Sequence, residues 1–277
     1  MLYIRRKINA TQSLMKITRA MEMVARAKAK RVETEYGNFK PFLQEVERLW
    51  ERTPKHIINP SFFEEGDKEL VVVLSSDMGL CGAYNSELLR ETEKILSSSR
   101  TRNPFLILIG TKAINHFRNY QNVYKSYDKF YDIPEFSKAS TVVEDILDFL
   151  SKNGPARVLV VYSHFRNVLI QQPRVCELLP LRKEDKTGDE YEYEPVPEML
   201  VPLVLHYYLS ARMLDLMFHG KLSEHYARQN AMKNATDNAQ EVIRRLTLEY
   251  NKARQASITE ELIEIVTGAE ALKGIEG

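Results

Sequence analysis

The chain has 277 residues, 44% of them apolar, and a formal net charge of +1; this suffices for a sizeable core and argues against a dedicated nucleic-acid binder. Its two cysteines, Cys81 and Cys176, make no disulfide framework and favour a reducing compartment. No uncharged apolar run of roughly 18 residues is present to span a membrane, and no signal-peptide core follows the basic start.

The first 52 residues read as one long helix. Nine Lys/Arg and one acid, Glu22, fall within the first 31 residues. Leu14, Ile17, Met21 and Val24 step by three and four. Beyond an Ala-rich bridge, Val32, Tyr36, Phe39, Leu43, Val46 and Trp50 continue in steps of four and three, the spacing of a coiled-coil seam. Pro41 is expected to kink this helix or to cost stability. Thr53 to Asp67, with Pro54, Pro60 and Gly66, reads as a linker.

The pattern then changes. Leu70–Ser75, Phe105–Gly110 and Arg157–Phe165 are short β-branched or apolar runs typical of buried strands, and Val123–Tyr131 alternates weakly as a further strand. Asn85–Leu96 and Thr111–Tyr120 read as helices, and Thr141 with Glu144 as a capping box opening a helix over Val142–Ser151. Val168–Leu181 reads as extended and broken by Pro173, and 182–197 as a charged hairpin or connector. Alternating strands and helices predict an α/β layer with a mainly parallel sheet.

From Glu198 the chain returns to helix. After Pro202 there is no proline, and Gly220 is the one glycine before Gly268, so the helix would be roughly 100 Å long at 1.5 Å per residue. Met232, Ala235, Ala239, Val242 and Leu246 form a seam; Ile258, Leu262, Ile265, Ala269 and Leu272 form a second run on a shifted phase, which one partner cannot cover from one fixed direction. The fold class is therefore α/β with a long coiled coil: an N-terminal helix (1–52), an inserted Rossmann-like domain (68–197) and a C-terminal helix (198–277). An insertion entered and left at one end of both helices makes them antiparallel. The lower part of the second helix, 198–221, is expected to pack on the α/β domain through Leu203, Tyr207, Leu214 and Met217.

Chemistry is sparse. Ser76-Asp77-Met78-Gly79-Leu80-Cys81-Gly82 follows the first strand, where α/β folds cradle phosphate, yet it lacks the dinucleotide glycine spacing and the Lys-Ser/Thr of a P-loop. Cys81 near a helix start could act as a nucleophile, but no His pairing supports it over a packed thiol. The six histidines show no metal-ligand spacing. Glu260, Glu261 and Glu264 read as a solvated or partner-facing patch. A coiled-coil scaffold protein with a nucleotide-binding α/β domain is the alternative to a mechanical shaft.

The motifs carry a resemblance. Lys16–Ala25 (KITRAMEMVA), Ser76–Asn85 (SDMGLCGAYN), Ser223-Glu224-His225, Ala231-Met232-Lys233, Ala235-Thr236-Asp237-Asn238 and Tyr250–Ala269 (YNKARQASITEELIEIVTGA) together resemble the gamma subunit of F-type rotary ATP synthases, end to end. Met78 stands where that family usually has Arg. The resemblance implies a rotor shaft in a ring of alpha and beta subunits, with its α/β domain at the foot beside epsilon and the membrane c-ring. It implies no catalysis, cofactor or metal in this chain, and membrane association only through the c-ring. It further implies that Arg254, Gln255, Met21, Cys81, Lys28 and Arg31 contact beta. Ile258, Leu262, Ile265 and Val266 would sit in an alpha/beta sleeve, and Tyr207 and Tyr208 would meet epsilon or the c-ring. By the same resemblance Met21 lies beside Arg254–Thr259, although an equal climb from the foot would place it near residue 230. A bacterial complex on the cytoplasmic side of the inner membrane is expected, with the driving ion left to other subunits.

Overall fold

The computed structural model describes residues 1–101, 103–182 and 196–273. Most of the expected charged connector therefore lies outside the described residues. Two helices dominate: α1 (Leu2–Arg52) and α5 (Pro197–Lys273). Between them run β1 (Lys68–Leu74), α2 (Tyr84–Ser98), β2 (Phe105–Ile109), α3 (Thr111–His116), β3 (Val123–Tyr127), α4 (Phe136–Asn153), β4 (Ala156–Phe165) and β5 (Gln171–Leu179). The chain divides into two compact units, Ala25–Asn230 and Met1–Val24 with Ala231–Gly277.

In the first of these units the sheet order is β3-β2-β1-β4-β5. The first four strands are parallel, and β5 returns antiparallel to β4. The β1 run from Leu70 onward and the whole β2 run are apolar because both faces are covered. Val71, Val73, Leu106 and Leu108 face α2 and α3 in one cluster with Leu88, Ala113 and Phe117. Leu70, Val72, Leu74, Ile107 and Ile109 join a larger cluster with Val142, Ile146 and Phe149 of α4 and Val204, Leu209 and Met213 of α5. Gly66 is required at the entry to β1, since a Cβ there would lie 1.7 Å from the Pro155 carbonyl oxygen.

Three local expectations are corrected. Helix α4 begins at Phe136, so Thr141 lies inside it; its hydroxyl donates to the Ser137 carbonyl, and Glu144 accepts from Ser140 instead. Pro173 does not break β5, because β5 is an edge strand and tolerates a missing donor. Helix α3 stops at His116, four residues short of the reading, where the Phe117 amide closes the last turn on Ala113.

The lower part of α5 does pack on the sheet, through two of the four expected residues. Leu203 and Tyr207 are exposed, whereas Val201, Val204, Leu205 and Leu209 are buried with Leu214 and Met217. Positions 201, 204/205, 209, 213, 216/217 follow helical periodicity directly; Leu203 and Tyr207 belong to the neighbouring stripe. Here α1 runs antiparallel to α5. Trp50 stacks on Tyr208 at 4.6 Å, Glu47 pairs with Arg212 at 3.0 Å, and the Tyr36 hydroxyl donates to Asp215 at 2.8 Å. Helix α1 continues through Pro41, whose side is exposed.

The second unit is a two-helix coil. Its register is set by Thr18 and Thr236, whose hydroxyls meet at 2.8 Å. Counting back from that pair sets Met21 opposite residue 233, which overturns the expected position beside Arg254–Thr259 by roughly 33 Å of rise. The equal-climb estimate is the correct one. The N-terminal seam is also rephased. Ile4, Ile8, Thr11, Met15 and Glu22 are half-buried and Thr18 is buried, while Leu14, Ile17 and Val24 are 55–57% exposed. The exposed apolar residues Leu14 and Ile17 misled the reading; the seam in fact alternates Ile4, Ile8 and Met15 with the polar Thr11, Thr18 and Glu22. On α5 the expected seam holds, with Met232, Ala239 and Leu246 buried and Ala235 and Val242 half-buried.

Candidate functional site

In a parallel α/β sheet, ligands bind outside the carboxyl ends of the strands, where the strand order reverses. Here that place lies between β1 and β4, and α5 fills it. The Ser223 hydroxyl donates to the Ser163 carbonyl at the end of β4. Arg228 donates from Nε to the Gly79 carbonyl at 3.2 Å and from Nη2 to the Met78 carbonyl at 3.1 Å, both in the turn after β1. The Tyr84 hydroxyl, at the start of α2, donates to the Gly220 carbonyl.

Charge within this crevice is paired internally. Glu224 lies between Lys221 and Arg228, 3.0 Å from each, and all three are buried. Burial pushes the Glu224 carboxyl up, but Lys221 and Arg228 outweigh it and hold the carboxyl below its ordinary range. Beside it, His225 is buried with no partner for either ring nitrogen among the described residues. Burial pulls its pKa down to about 4. The Ser-Glu-His motif is thus a fastening of helix to sheet.

The Ser76–Gly82 turn is built for the same purpose. The Ser76 amide donates to Asn85 Oδ1, and the Ser76 hydroxyl to the Met78 carbonyl. Asp77 Oδ1 accepts from the Thr111 and Lys129 amides, tying the ends of β1, β2 and β3 together. Leu80 and Gly82 take positive φ, 60° and 59°. Cys81 is buried, and burial raises its thiol pKa, the opposite of an activated nucleophile. What the turn offers outward is Met78 and Leu80, 61% and 60% exposed.

A family model described as ATP synthase matches residues 1–272. The ATP synthase gamma chain of Halothermothrix orenii is 37% identical over 98% of both chains, and that of Symbiobacterium thermophilum is 37% identical over 98% of both. The chain belongs to the ATP synthase gamma chain family. Solved structures agree on the fold. A chain of the Euglena gracilis mitochondrial ATP synthase (OSCP/F1/c-ring) superposes with a TM-score of 0.68 at 20% identity, covering 98% of this chain and 93% of that one. A chain of the Tetrahymena thermophila ATP synthase central stalk and c-ring gives 0.60 at 21% identity, covering 79% and 99%.

Among the gamma-family residues singled out in the sequence, the structure makes several distinctions. Arg254 and Gln255 are exposed on α5. Ile258, Leu262, Ile265 and Val266 are 46–68% exposed, and every position from Ile258 to Gly268 is exposed. Met21 is half-buried. Lys28 is held by Asp132 at 2.8 Å, and Arg31 lines a cavity of about 380 Å³ with Lys129, Phe130 and Lys138. Tyr207 is exposed and stacks on Phe136, while Tyr208 is half-buried against Trp50. Sequence reasoning missed Lys221 and Arg228, and took Asp77 only as part of a phosphate-type turn rather than as the tie between strand ends. Lys221, Glu224 and Arg228 are spaced three and four apart, a pattern equally typical of a solvated helix face, and only the fold buries it. Among the described residues no helix is long and apolar enough to cross a membrane, and no three metal-ligating side chains gather.

Proposed function

We propose that the chain is the central rotor shaft of an F-type ATP synthase, turning with a membrane c-ring and driving conformational change in the surrounding alpha and beta subunits. The observation that supports this most directly is the coil fixed at Thr18 and Thr236, beyond which α5 carries an uncovered apolar tip, Ile258–Val266. An apolar tip makes no directional bonds, so it can turn within an apolar sleeve while being held laterally. Polar contacts at Arg254 and Gln255 would then act at defined angles, Arg254 by forking onto a carboxylate of beta. The shaft is itself non-catalytic. The crevice where an α/β fold would hold a nucleotide is occupied by Ser223, Glu224 and Arg228, which also disfavours a nucleotide-binding scaffold.

In this reading Met21, Lys28, Arg31 and the Cys81 turn approach beta, the last through Met78 and Leu80 because the thiol is buried. Tyr207 faces epsilon or the c-ring. The complex sits on the cytoplasmic side of a bacterial inner membrane, reached only through the c-ring. The test is purification of the tagged chain from its source cells. Alpha and beta subunits in excess over the chain, with epsilon retained, are the expected result; recovery of the chain alone from intact membranes overturns the assignment.

A further inference from the structure

His164, near the end of β4, and His219, on α5, lie face to face, with ring centroids 4.4 Å apart and planes 27° off parallel. Both are half-buried. They meet α1 at Tyr36, whose hydroxyl donates to Asp215 at 2.8 Å and lies 3.2 Å from Nε2 of His219. A phenol hydroxyl carries a single hydrogen. With Asp215 taking it, Nε2 must carry the imidazole hydrogen and donate to the Tyr36 oxygen. Nδ1 of His219 is then a bare lone pair, buried and with no partner among the described residues. Tyr162 closes the group, its hydroxyl 3.5 Å from Nδ1 of His164.

This arrangement holds two neutral rings and has no place for a proton. On His219 a proton can enter only at Nδ1, which would become a buried donor without an acceptor. On His164 it would lay a cation flat against the His219 ring. Every packed element sets a charged or titratable group near the pair. Arg174 on β5 and Lys40 on α1 oppose a proton, and Asp215 on α5 favours one. Arg212 on α5 is turned to Glu47, and burial keeps Tyr162 on β4 and Cys176 on β5 neutral. Burial is the largest influence on both imidazoles and, with the two cations, holds them below the ordinary histidine range. We infer that His164 and His219 form an acid-released clasp: the neutral stack fastens α5, and through Tyr36 also α1, to the end of β4, and protonation of either ring opens it. All of these residues belong to the Ala25–Asn230 unit, so the clasp does not depend on the chain's place in a larger assembly.

The sign follows from linkage. With both folded values depressed, the stabilisation is complete above the unfolded histidine value of about 6.5 and is lost as pH falls from there through the folded ones. Three measurements on the full-length chain test this. In histidine NMR, both rings should titrate below about pH 6.5. In amide exchange corrected for its intrinsic pH dependence, protection at Tyr162–Phe165 and Gln171–Arg174 should fall at pH 5 while that of β1 and β2 is retained. In urea unfolding, the comparison is His164→Phe with His219→Gln, which keeps an aromatic face and a donor for Tyr36 and cannot titrate. Between pH 7 and pH 5 the unfolding constant of the wild type should rise at least about tenfold relative to that of the double variant. Titration of either ring at or above 6.5, a wild-type to variant ratio that stays constant, or protection lost uniformly across the sheet overturns the proposal. If the double variant does not fold, the first two measurements on the wild type still decide.

Discussion

Glu224 and His225 are adjacent, both buried, and answer acid in different ranges. Glu224 balances two cations, so Glu224→Gln leaves Lys221 and Arg228 buried without a counter-ion. A loss of about 3–5 kcal/mol is expected in urea unfolding; a loss under 1 kcal/mol would mean that water reaches the site. Because the folded carboxyl pKa is lowered, its stabilisation is present above the unfolded carboxyl pKa and is lost as pH falls through the folded one. His225 is also depressed, from 6.5 to about 4. It is neutral in the fold and takes a proton more readily when unfolded. Its contribution is therefore complete above pH 6.5 and is lost as pH falls from there towards 4, by about 3 kcal/mol in all. His225→Leu removes a ring whose nitrogens find no partner, so stability near pH 7 should hold or rise. Burial also depresses His164 and His219, so the informative quantity is wild type minus variant between pH 6.5 and 4.5. A difference that does not change over that interval removes His225 as the titrating group.

At the scale of elements, the two long helices and the four parallel strands were legible because their signals are local: periodicity, the absence of Gly and Pro, and runs of Val, Ile and Leu. The phase of α1 was half legible. From Val32 to Trp50 the seam consists of large residues and was read correctly; below Ala25 it passes through Ala25, Thr18 and Thr11, and size drew attention to Leu14 and Ile17 instead. Register was legible only through the equal climb from the foot, which set Met21 near residue 230; the resemblance displaced that estimate, and the Thr18–Thr236 pair restores it. Thr18→Cys with Thr236→Cys should therefore cross-link under mild oxidation, their hydroxyls already being 2.8 Å apart. Met21→Cys with Gln255→Cys should not; preferential formation of the second bridge would refute the register. Gly220 marks another element-scale choice. A Cβ there would meet Tyr84 Oη at 3.9 Å, an ordinary contact. Gly220→Ala should raise stability by about 0.5–1 kcal/mol in denaturant unfolding. A decrease would show that close passage past α2 needs the glycine.

For the molecule as a whole, stability and coupling separate along α5. Ala253 and Ser257 are still half-buried in the coil, whereas every position from Ile258 to Gly268 is exposed. Removing the chain after Ser257 deletes no described side chain that another element covers. It takes away Ile258, Leu262, Ile263, Ile265 and Val266, an exposed apolar patch of the kind that drives association. The truncated chain should thus melt within about 2 °C of the full one, because no buried area is lost among the described side chains, and should stay monomeric at higher concentration. Arg254→Ala with Gln255→Ala keeps the coil and the tip and removes only two exposed polar groups. On its own this double variant should change stability by under 0.5 kcal/mol. Within the assembled complex it should slow ATP turnover roughly tenfold, the scale of losing a charge-assisted hydrogen bond. The pair of measurements discriminates between roles: a large drop in melting temperature with normal turnover of the surviving complex would make Arg254 and Gln255 structural, while unchanged stability with slowed turnover places them on the coupling path.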